Sequence, residues 1–213
     1  FSSAISSVFL PRATKMSVDN ASGEELTDMM IKIGRLSFII LMFILTAFIL
    51  FGKQFVFLWV GGTLGIEGSF QSWLIAIMIM VGYTLPLVQG FSKSILEAKG
   101  KLRFRAITYL SFMVLGTVLG GILAVDYSAI GMIVGSVIGW LIIQLIMNFY
   151  FHNQIKLNII RFFKEMFHKT ILTVFLIFAI GYTINYIPGE GWINFIIKAI
   201  VYTFVYGVLM YLI

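Results

Sequence analysis

An uncharged run of seventeen residues, 36–52, constrains this chain more than any other feature of its sequence. A helix rises about 1.5 Å per residue, so a helix over that run approaches the thickness of a bilayer core. Lys32 and Arg35 precede the run, and Lys53 follows it with the aromatic-rich segment 55–59. Aromatic side chains of this kind gather at the lipid headgroup boundary. The run therefore predicts a membrane-spanning helix with one basic end and one aromatic end.

The composition favours an integral membrane protein built from helices. Hydrophobic residues make up 60% of the chain and charged residues 11%, whereas soluble domains carry about 25% charged residues. Long uncharged runs without alternation favour helices over the strands of a membrane barrel. The chain has no cysteine, which excludes a disulfide and a thiolate metal ligand. We therefore expect an all-α integral membrane protein.

Five further apolar runs follow the first, and only Lys198 interrupts them; they cover residues 68–92, 106–125, 127–151, 170–189 and 191–213. Together the six runs predict six complete transmembrane helices, and residues 1–10 predict the end of an earlier one. Most Lys and Arg residues fall in alternate loops, which the positive-inside rule places in the cytoplasm. The net charge of +6 is then a consequence of topology, and we expect no nucleic-acid partner.

Local signals predict the connections between these helices. Pro11 with Arg12 predicts the end of the first segment, and a polar stretch follows it. Ser22 and Glu25 have the spacing of a capping box, which predicts a helix start near Gly23. Residues 53–69 form the largest predicted outer loop, and a very short turn is expected around Asp126.

Residues 158–168 predict an amphipathic helix that lies in the membrane interface. Its expected apolar face comprises Ile159, Ile160, Phe163, Met166 and Phe167. This helix suggests a division of the chain into three parts. These are a transmembrane bundle over 1–151, a cytoplasmic interfacial helix over 152–169 and the last two transmembrane helices over 170–213.

Glycines recur every fourth residue in two successive runs: Gly116 and Gly120 in one, and Gly131, Gly135 and Gly139 in the next. Small residues at this spacing allow two helix backbones to approach closely in lipid. The spacing predicts an antiparallel packed pair, and the alternative is that the same face slides during a conformational change.

Pro86 lies between Gly82 and Gly90 and close to Tyr83 and Gln89. A proline at this point bends or breaks a helix, and broken helices often form the moving or binding parts of transporters. A static kink filled by a neighbouring helix is the alternative.

Polar residues inside the apolar runs are the remaining candidates. Lys198 could hold an anionic headgroup in an internal cavity, or its long stem could extend to the interface. Gln144 and Asn148 share a helical face, and Ser2, Ser3, Ser6 and Ser7 form two polar stripes on the first segment. Interhelical hydrogen bonds and the wall of a wet cavity are the two interpretations of these groups.

The sequence lacks a phosphate-binding glycine loop, an HExxH metal motif and any assembled catalytic triad. No carboxylate lies deep in an apolar run, so these residues offer no proton relay or cation site of their own. We therefore expect no enzymatic activity, no cofactor and no metal.

Four segments carry a resemblance to a known family: FLPRATKM, EELTDMMIKIGRLSFIIL, ILFGKQFVFLWVG and ILEAKGKLRFRAI. They resemble the C-terminal half of bacterial polysaccharide flippases, which transport O-antigen and capsule repeat units. These flippases belong to the multidrug/oligosaccharidyl-lipid/polysaccharide exporter superfamily. The resemblance implies the C-terminal lobe of a MATE-like transporter, in which two six-helix bundles form a V around a cationic cavity.

The resemblance also implies a substrate, a location and partners. The substrate would be an undecaprenyl-pyrophosphate-linked oligosaccharide, moved across the bacterial cytoplasmic membrane for lipopolysaccharide or capsule synthesis. The partners would be this lipid-linked glycan, membrane lipids and an N-terminal bundle outside these residues. Arg35 and Lys198 are the expected substrate contacts. A drug/cation antiporter of the same superfamily, a membrane enzyme of polysaccharide assembly and a purely structural subunit remain as alternatives.

Overall fold

The structure is a computed structural model that describes residues 10–19, 21–168 and 170–211. Among these residues 91% are helical and none lies in a strand, which confirms the all-α prediction. The helices are α1 Leu10–Val18, α2 Gly23–Val88, α3 Gly90–Ala98, α4 Leu102–Ile155, α5 Ile159–Phe167, α6 Thr170–Ile184 and α7 Gly191–Tyr211. The predicted end of an earlier span, with Ser2, Ser3, Ser6 and Ser7, lies outside the described residues except for Leu10.

Three of the described helices, α2, α4 and α7, are long and apolar enough to cross a membrane. A fourth span results if α5 and α6 count together as one broken span. With 66 and 54 residues, α2 and α4 greatly exceed the roughly 20 residues that a bilayer requires. Each contains one residue with non-helical backbone angles, Gly65 in α2 and Ser128 in α4. Each long helix therefore consists of two helical arms.

The prediction of an outer loop over residues 53–69 is wrong, because α2 continues through this segment except at Gly65. The backbone angles of Gly65 are φ 69° and ψ −171°, which a residue without a Cβ adopts readily. A single glycine thus interrupts the helix where the sequence predicted a loop of seventeen residues. The short turn expected around Asp126 takes a similar form, since only Ser128 departs from helical geometry in α4.

The polar stretch that follows Pro11 is largely helical. Helix α1 includes Pro11 and continues to Val18. Ala13 is fully buried, and α1 packs against α3. Tertiary packing of one face of α1 therefore outweighs the local polarity of its sequence.

The predicted capping box at the start of α2 is confirmed. The Ser22 Oγ atom accepts a hydrogen bond from the backbone N–H of Glu25 at 3.2 Å. In return the backbone N–H of Ser22 donates to Glu25 Oε2 at 2.8 Å. Two backbone donors that the helix itself leaves unpaired are satisfied in this way, which explains why α2 begins at Gly23.

The described residues divide into two compact units, which are not consecutive in sequence. Unit I comprises residues 10–38 and Val81–Met166, and unit II comprises Ile39–Met80 and the described residues from Phe167 onward. In unit II the middle of α2 packs with α6 and α7 around a core of Phe51, Ile177, Ile184, Tyr202 and Tyr206. Unit I contains α1, α3, α4, α5 and both ends of α2.

Helix α5 forms where the amphipathic pattern predicts it, but its buried face differs from the expected one. The buried residues are Ile159, Phe162 and Met166, whereas Ile160 is 82% exposed. Phe162 packs on the backbone of α2 at Gly34, where a Cβ would lie 2.7 Å from the Phe162 ring. Because Gly34 has no side chain, it leaves space for the Phe162 ring, and this contact determines which face of α5 is buried. The apolar pattern of α5 alone does not predict that face.

Candidate functional site

The break near Pro86 borders a cavity in unit I. Helix α2 ends at Val88, and α3 begins at Gly90 after the single intervening residue Gln89. Pro86 has no N–H with which to bond the carbonyl four residues earlier, at Gly82, and this weakens the last turns of α2. Pro86 itself lies inside α2, three residues before its C-cap Gln89, and both Pro86 and Gly90 line the cavity.

The cavity has a volume of about 310 Å³. Its wall combines aromatic rings, side-chain amides and charged groups, contributed by Tyr83, Tyr109, Trp140, Gln89, Gln144, Lys93, Glu97 and Arg105. Apolar side chains of α4 complete the wall. An apolar cavity with a few convergent polar groups is the usual form of a small-molecule site.

The amides form one hydrogen-bonded cluster between Gln89 and α4. The Gln89 Nε2 group donates to Asn148 Oδ1 at 2.9 Å, and the Gln144 Nε2 group donates to Gln89 Oε1. Gln89 and Gln144 are 3% and 5% exposed, so this cluster satisfies groups that would otherwise be costly to bury. Gln144 and Asn148 thus form interhelical hydrogen bonds, one of the two roles that the sequence suggested.

Two aromatic rings form a rigid part of the cavity wall. The ring centroids of Tyr83 and Trp140 lie 4.2 Å apart in an edge-to-face arrangement. Gly82 lets the indole approach the backbone of α2, since a Cβ at this glycine would lie 3.0 Å from Trp140 Cε3. The Trp140 Nε1 group donates to the sulfur of Met113 at 2.8 Å. Gly82 therefore positions a ring that lines the cavity.

The cavity wall carries two cations and one carboxylate. Lys93 Nζ lies 3.6 Å from Glu97 Oε1, so these two charges offset each other. The Arg105 guanidinium lies 4.5 Å from the centroid of the Tyr109 ring, and no carboxylate pairs with it within the described part of the chain. A cation over a ring face retains its charge and its N–H donors. The cavity wall thus carries a net positive charge, centred on Arg105.

Arg35 forms its hydrogen bonds in another part of unit I than the cavity wall. Its Nε and terminal nitrogen donate to the backbone carbonyl of Glu165 at 3.2 and 2.8 Å. This carbonyl lies in the last turn of α5, where helix carbonyls lack intrahelical partners. Arg35 therefore caps the C-terminus of α5, and it is not among the residues that line the cavity.

Lys198 lies in unit II and is 7% exposed. Its ammonium group donates to Gln54 Oε1 at 3.3 Å, and the Gln54 Nε2 group donates to Asn194 Oδ1 at 3.0 Å. The ammonium group is thus buried among amides and does not extend to the surface. Of the two expected substrate contacts, Arg35 thus belongs to unit I and Lys198 to unit II.

The glycines of α4 lie in the contact between its two arms. A Cβ at Gly139 would lie 2.7 Å from the Phe112 carbonyl oxygen, and one at Gly120 would lie 2.6 Å from the Met132 carbonyl oxygen. Gly116 packs against Gly135 and Gly139, and Gly131 packs against the backbone of Leu123. In successive contacts the residue number rises along the first arm and falls along the second, so the two arms are antiparallel. The contacts join the backbone of one arm to the backbone of the other.

Sequence analysis missed the residues that give the cavity its charge. Lys93 and Arg105 belong to a basic stretch that the positive-inside rule explains without any binding role. The segment ILEAKGKLRFRAI did carry Glu97 and Arg105, but nothing local marked them as neighbours of Trp140. Only the packing of α4 brings these groups to one wall.

No group of three or more His, Cys, Asp or Glu side chains arranged to hold a metal occurs within the ranges that the structure describes. Comparison of the chain with protein-family models, with curated proteins and with solved structures found no match.

Proposed function

We propose that this chain is part of a flippase that moves undecaprenyl-pyrophosphate-linked oligosaccharide repeat units across the bacterial cytoplasmic membrane for surface polysaccharide synthesis. The observation that carries the proposal is the unit I cavity, which combines an unpaired guanidinium with aromatic rings and amides. The resemblance of four segments to polysaccharide flippases supports the same conclusion. The remaining part of the transport path would come from an N-terminal bundle.

We also propose a multi-pass topology with six membrane spans. The breaks at Gly65 and Ser128 support it, because they divide α2 and α4 into four arms of more than 20 residues each. Such arms are long enough to cross a bilayer. Helix α7 supplies the last span, and the bent pair of α5 and α6 supplies the span before it, because the 15 residues of α6 alone are too few to cross a bilayer.

The groups of the cavity wall match the parts of such a substrate. A pyrophosphate diester carries two negative charges, and bringing it into an apolar site is costly unless cations and hydrogen-bond donors replace its water. The planar guanidinium of Arg105 can donate two parallel hydrogen bonds to phosphate oxygens. The Tyr109 ring beneath it holds its plane. Lys93 adds a second cation, an ammonium group that is ion-paired with Glu97.

The other end of the substrate is a sugar chain, which presents hydroxyl groups and apolar ring faces. The amides of Gln89 and Gln144 can donate to and accept from hydroxyl groups. Trp140 offers an apolar ring face of fixed orientation, because Gly82 and Met113 hold it in place. The cavity thus provides a place for each chemical part of the proposed substrate.

The test is the substitution Arg105→Gln, which keeps hydrogen-bonding capacity and removes the charge. Loss of one charge-assisted contact costs about 1.5–3 kcal/mol, which corresponds to a roughly 10- to 150-fold loss of substrate affinity. We expect a matching fall in surface polysaccharide on cells that depend on the gene encoding this chain. The matched control is Arg103→Gln, since Arg103 is exposed and does not line the cavity. Equal export by the two variants at equal expression contradicts the proposal.

A drug/cation antiporter is the second candidate, because Glu97 places a carboxylate on the same wall. Coupling to a proton or cation requires such a group. The substitution Glu97→Gln separates the two functions. A flippase that uses the wall cations keeps most of its export activity, because Lys93 and Arg105 both remain on the wall. An exporter coupled through Glu97 loses drug efflux completely.

A further inference from the structure

Unit II contains a buried cation whose partners are all neutral. Lys198 on α7 is 7% exposed, and within the described residues its ammonium group donates one hydrogen bond, to the amide oxygen of Gln54 at 3.3 Å. Gln54 donates in turn to Asn194, and Asn194 donates to the carbonyl oxygens of Ile187 and Pro188 at 3.2 and 3.1 Å. Amides orient the ammonium group but do not neutralise it.

No carboxylate compensates this charge within the described residues of unit II. The only acidic residues of the unit are Glu67 and Glu190; both are exposed, and neither forms an ion pair there. A cation buried without a counter-ion is costly in an apolar environment. An anion that is not part of the protein would remove that cost.

A cavity of about 450 Å³ adjoins the Lys198 cluster through Gln54, which belongs to both. The other polar groups on its wall are Lys53, Ser69 and Asn185. The Lys53 ammonium group lies 5.1 Å from the centroid of the Phe70 ring, and no carboxylate pairs with it in the described part of the chain. The cavity therefore has one ammonium group on its wall and a second bound to the amide beside it.

The sequence around the cavity indicates the source of the anion. Lys53 ends the first apolar run and begins the aromatic-rich segment with Phe55, Phe57 and Trp59. Aromatic residues at the end of a membrane span lie at the level of the lipid headgroups. Lysines near this level attract anionic lipids. The anions present there at high concentration are lipid phosphates.

We propose that this cavity binds the headgroup of an anionic phospholipid. Lys53 contacts the phosphate directly. Lys198 is a positioning residue. It orients Gln54 by a hydrogen bond and adds positive electrostatic potential to the cavity that Gln54 lines. This site is separate from the unit I cavity, and none of its residues enters the proposed transport of glycans.

The test measures lipid binding to the purified full-length protein in a neutral detergent by native mass spectrometry. The probes are phosphatidylglycerol and phosphatidylcholine with the same acyl chains, so only headgroup charge differs. One lysine near a headgroup contributes about fivefold to affinity for an anionic lipid. We expect a preference for phosphatidylglycerol in the wild type, and a fall of about fivefold in that preference in Lys53→Gln.

Lys198 is tested by the same preference for phosphatidylglycerol over phosphatidylcholine, because a purely structural role of Lys198 would weaken the binding of both lipids equally. Lys198→Met is expected to reduce the preference, and Lys198→Arg is expected to restore it. The matched control is Lys164→Gln, since Lys164 is an exposed cation on α5 in unit I. If Lys198→Met does not fold, the exposed Lys53 still tests the site.

An unchanged preference in Lys53→Gln overturns the proposal. Equal thermal stabilisation by inorganic phosphate and by phosphatidylglycerol also overturns it, because the site would then bind a soluble anion. Failure here leaves the export defect of Arg105→Gln intact, since that variant tests unit I alone.

Discussion

Gly135 is the position where one added methyl group tests the packing of α4 most directly. A Cβ at Gly135 would overlap the backbone nitrogen and Cα of Gly120 and would lie 2.8 Å from the carbonyl oxygen of Gly116. All of these atoms are backbone atoms of the opposite arm, so no side chain can turn away to make room. The two arms must therefore separate to accept Gly135→Ala, and they lose contact along their length.

The magnitude follows from two opposing effects. Overpacking a tight contact by one methyl group costs about 1–3 kcal/mol. Replacing a helical glycine by alanine returns about 1 kcal/mol of helix propensity. Gly121→Ala is the matched control, because Gly121 lies on the first arm and a Cβ there meets nothing within 4 Å. Both variants gain the propensity, so their difference of about 1–3 kcal/mol isolates the packing.

The assay is reversible unfolding of the purified protein in mixed micelles, followed by circular dichroism as the denaturing detergent increases. We expect Gly121→Ala to be as stable as the wild type or more stable. Gly135→Ala is expected to have a folding equilibrium constant roughly 5- to 150-fold below that of Gly121→Ala, as the free-energy difference requires. Equal unfolding midpoints for the two variants would refute the backbone contact between the arms.

Two further substitutions test hydrogen bonds from side chains to backbone carbonyl groups. Arg35→Ala removes the cap on the Glu165 carbonyl, so we expect faster hydrogen exchange in α5 and reduced repeat-unit export at equal expression; unchanged exchange would show that the cap does not hold the helix. Tyr206→Phe removes the 2.6 Å hydrogen bond from its hydroxyl to the Ile39 carbonyl. It should lower the free energy of unfolding by about 0.6 kcal/mol, as for other interhelical bonds in membranes, and a midpoint equal to that of the wild type in the same titration would contradict this.

The parts of the fold that the sequence predicted correctly depend on neighbouring residues alone. The capping box at Ser22 needs only Glu25, three positions away, and the structure contains both of its hydrogen bonds. The all-α class follows from composition and from apolar runs too long for strands. The presence of a helix over 159–167 follows from a periodicity of a few turns. None of these signals depends on a contact between segments that are distant in sequence.

Contacts with distant segments determine what the local pattern leaves open. The polar stretch after Pro11 is helical in α1, which packs against α3, some eighty residues further along the chain. The buried face of α5 includes Phe162 because Gly34 leaves a space for its ring. In each case the local pattern was compatible with two outcomes, and contact with another helix selected one.

The candidate site shows the same division. Sequence alone marked Pro86 as a position where a helix bends, because proline lacks an N–H donor in any fold. It also identified Lys198 as an unusual charge in an apolar run. Tertiary structure alone brought Arg105 and Trp140 to one cavity wall. It also placed the ammonium group of Lys198 against the neutral amide of Gln54. Backbone chemistry and hydropathy belong to each residue, whereas a cavity or an uncompensated charge exists only once distant helices pack together.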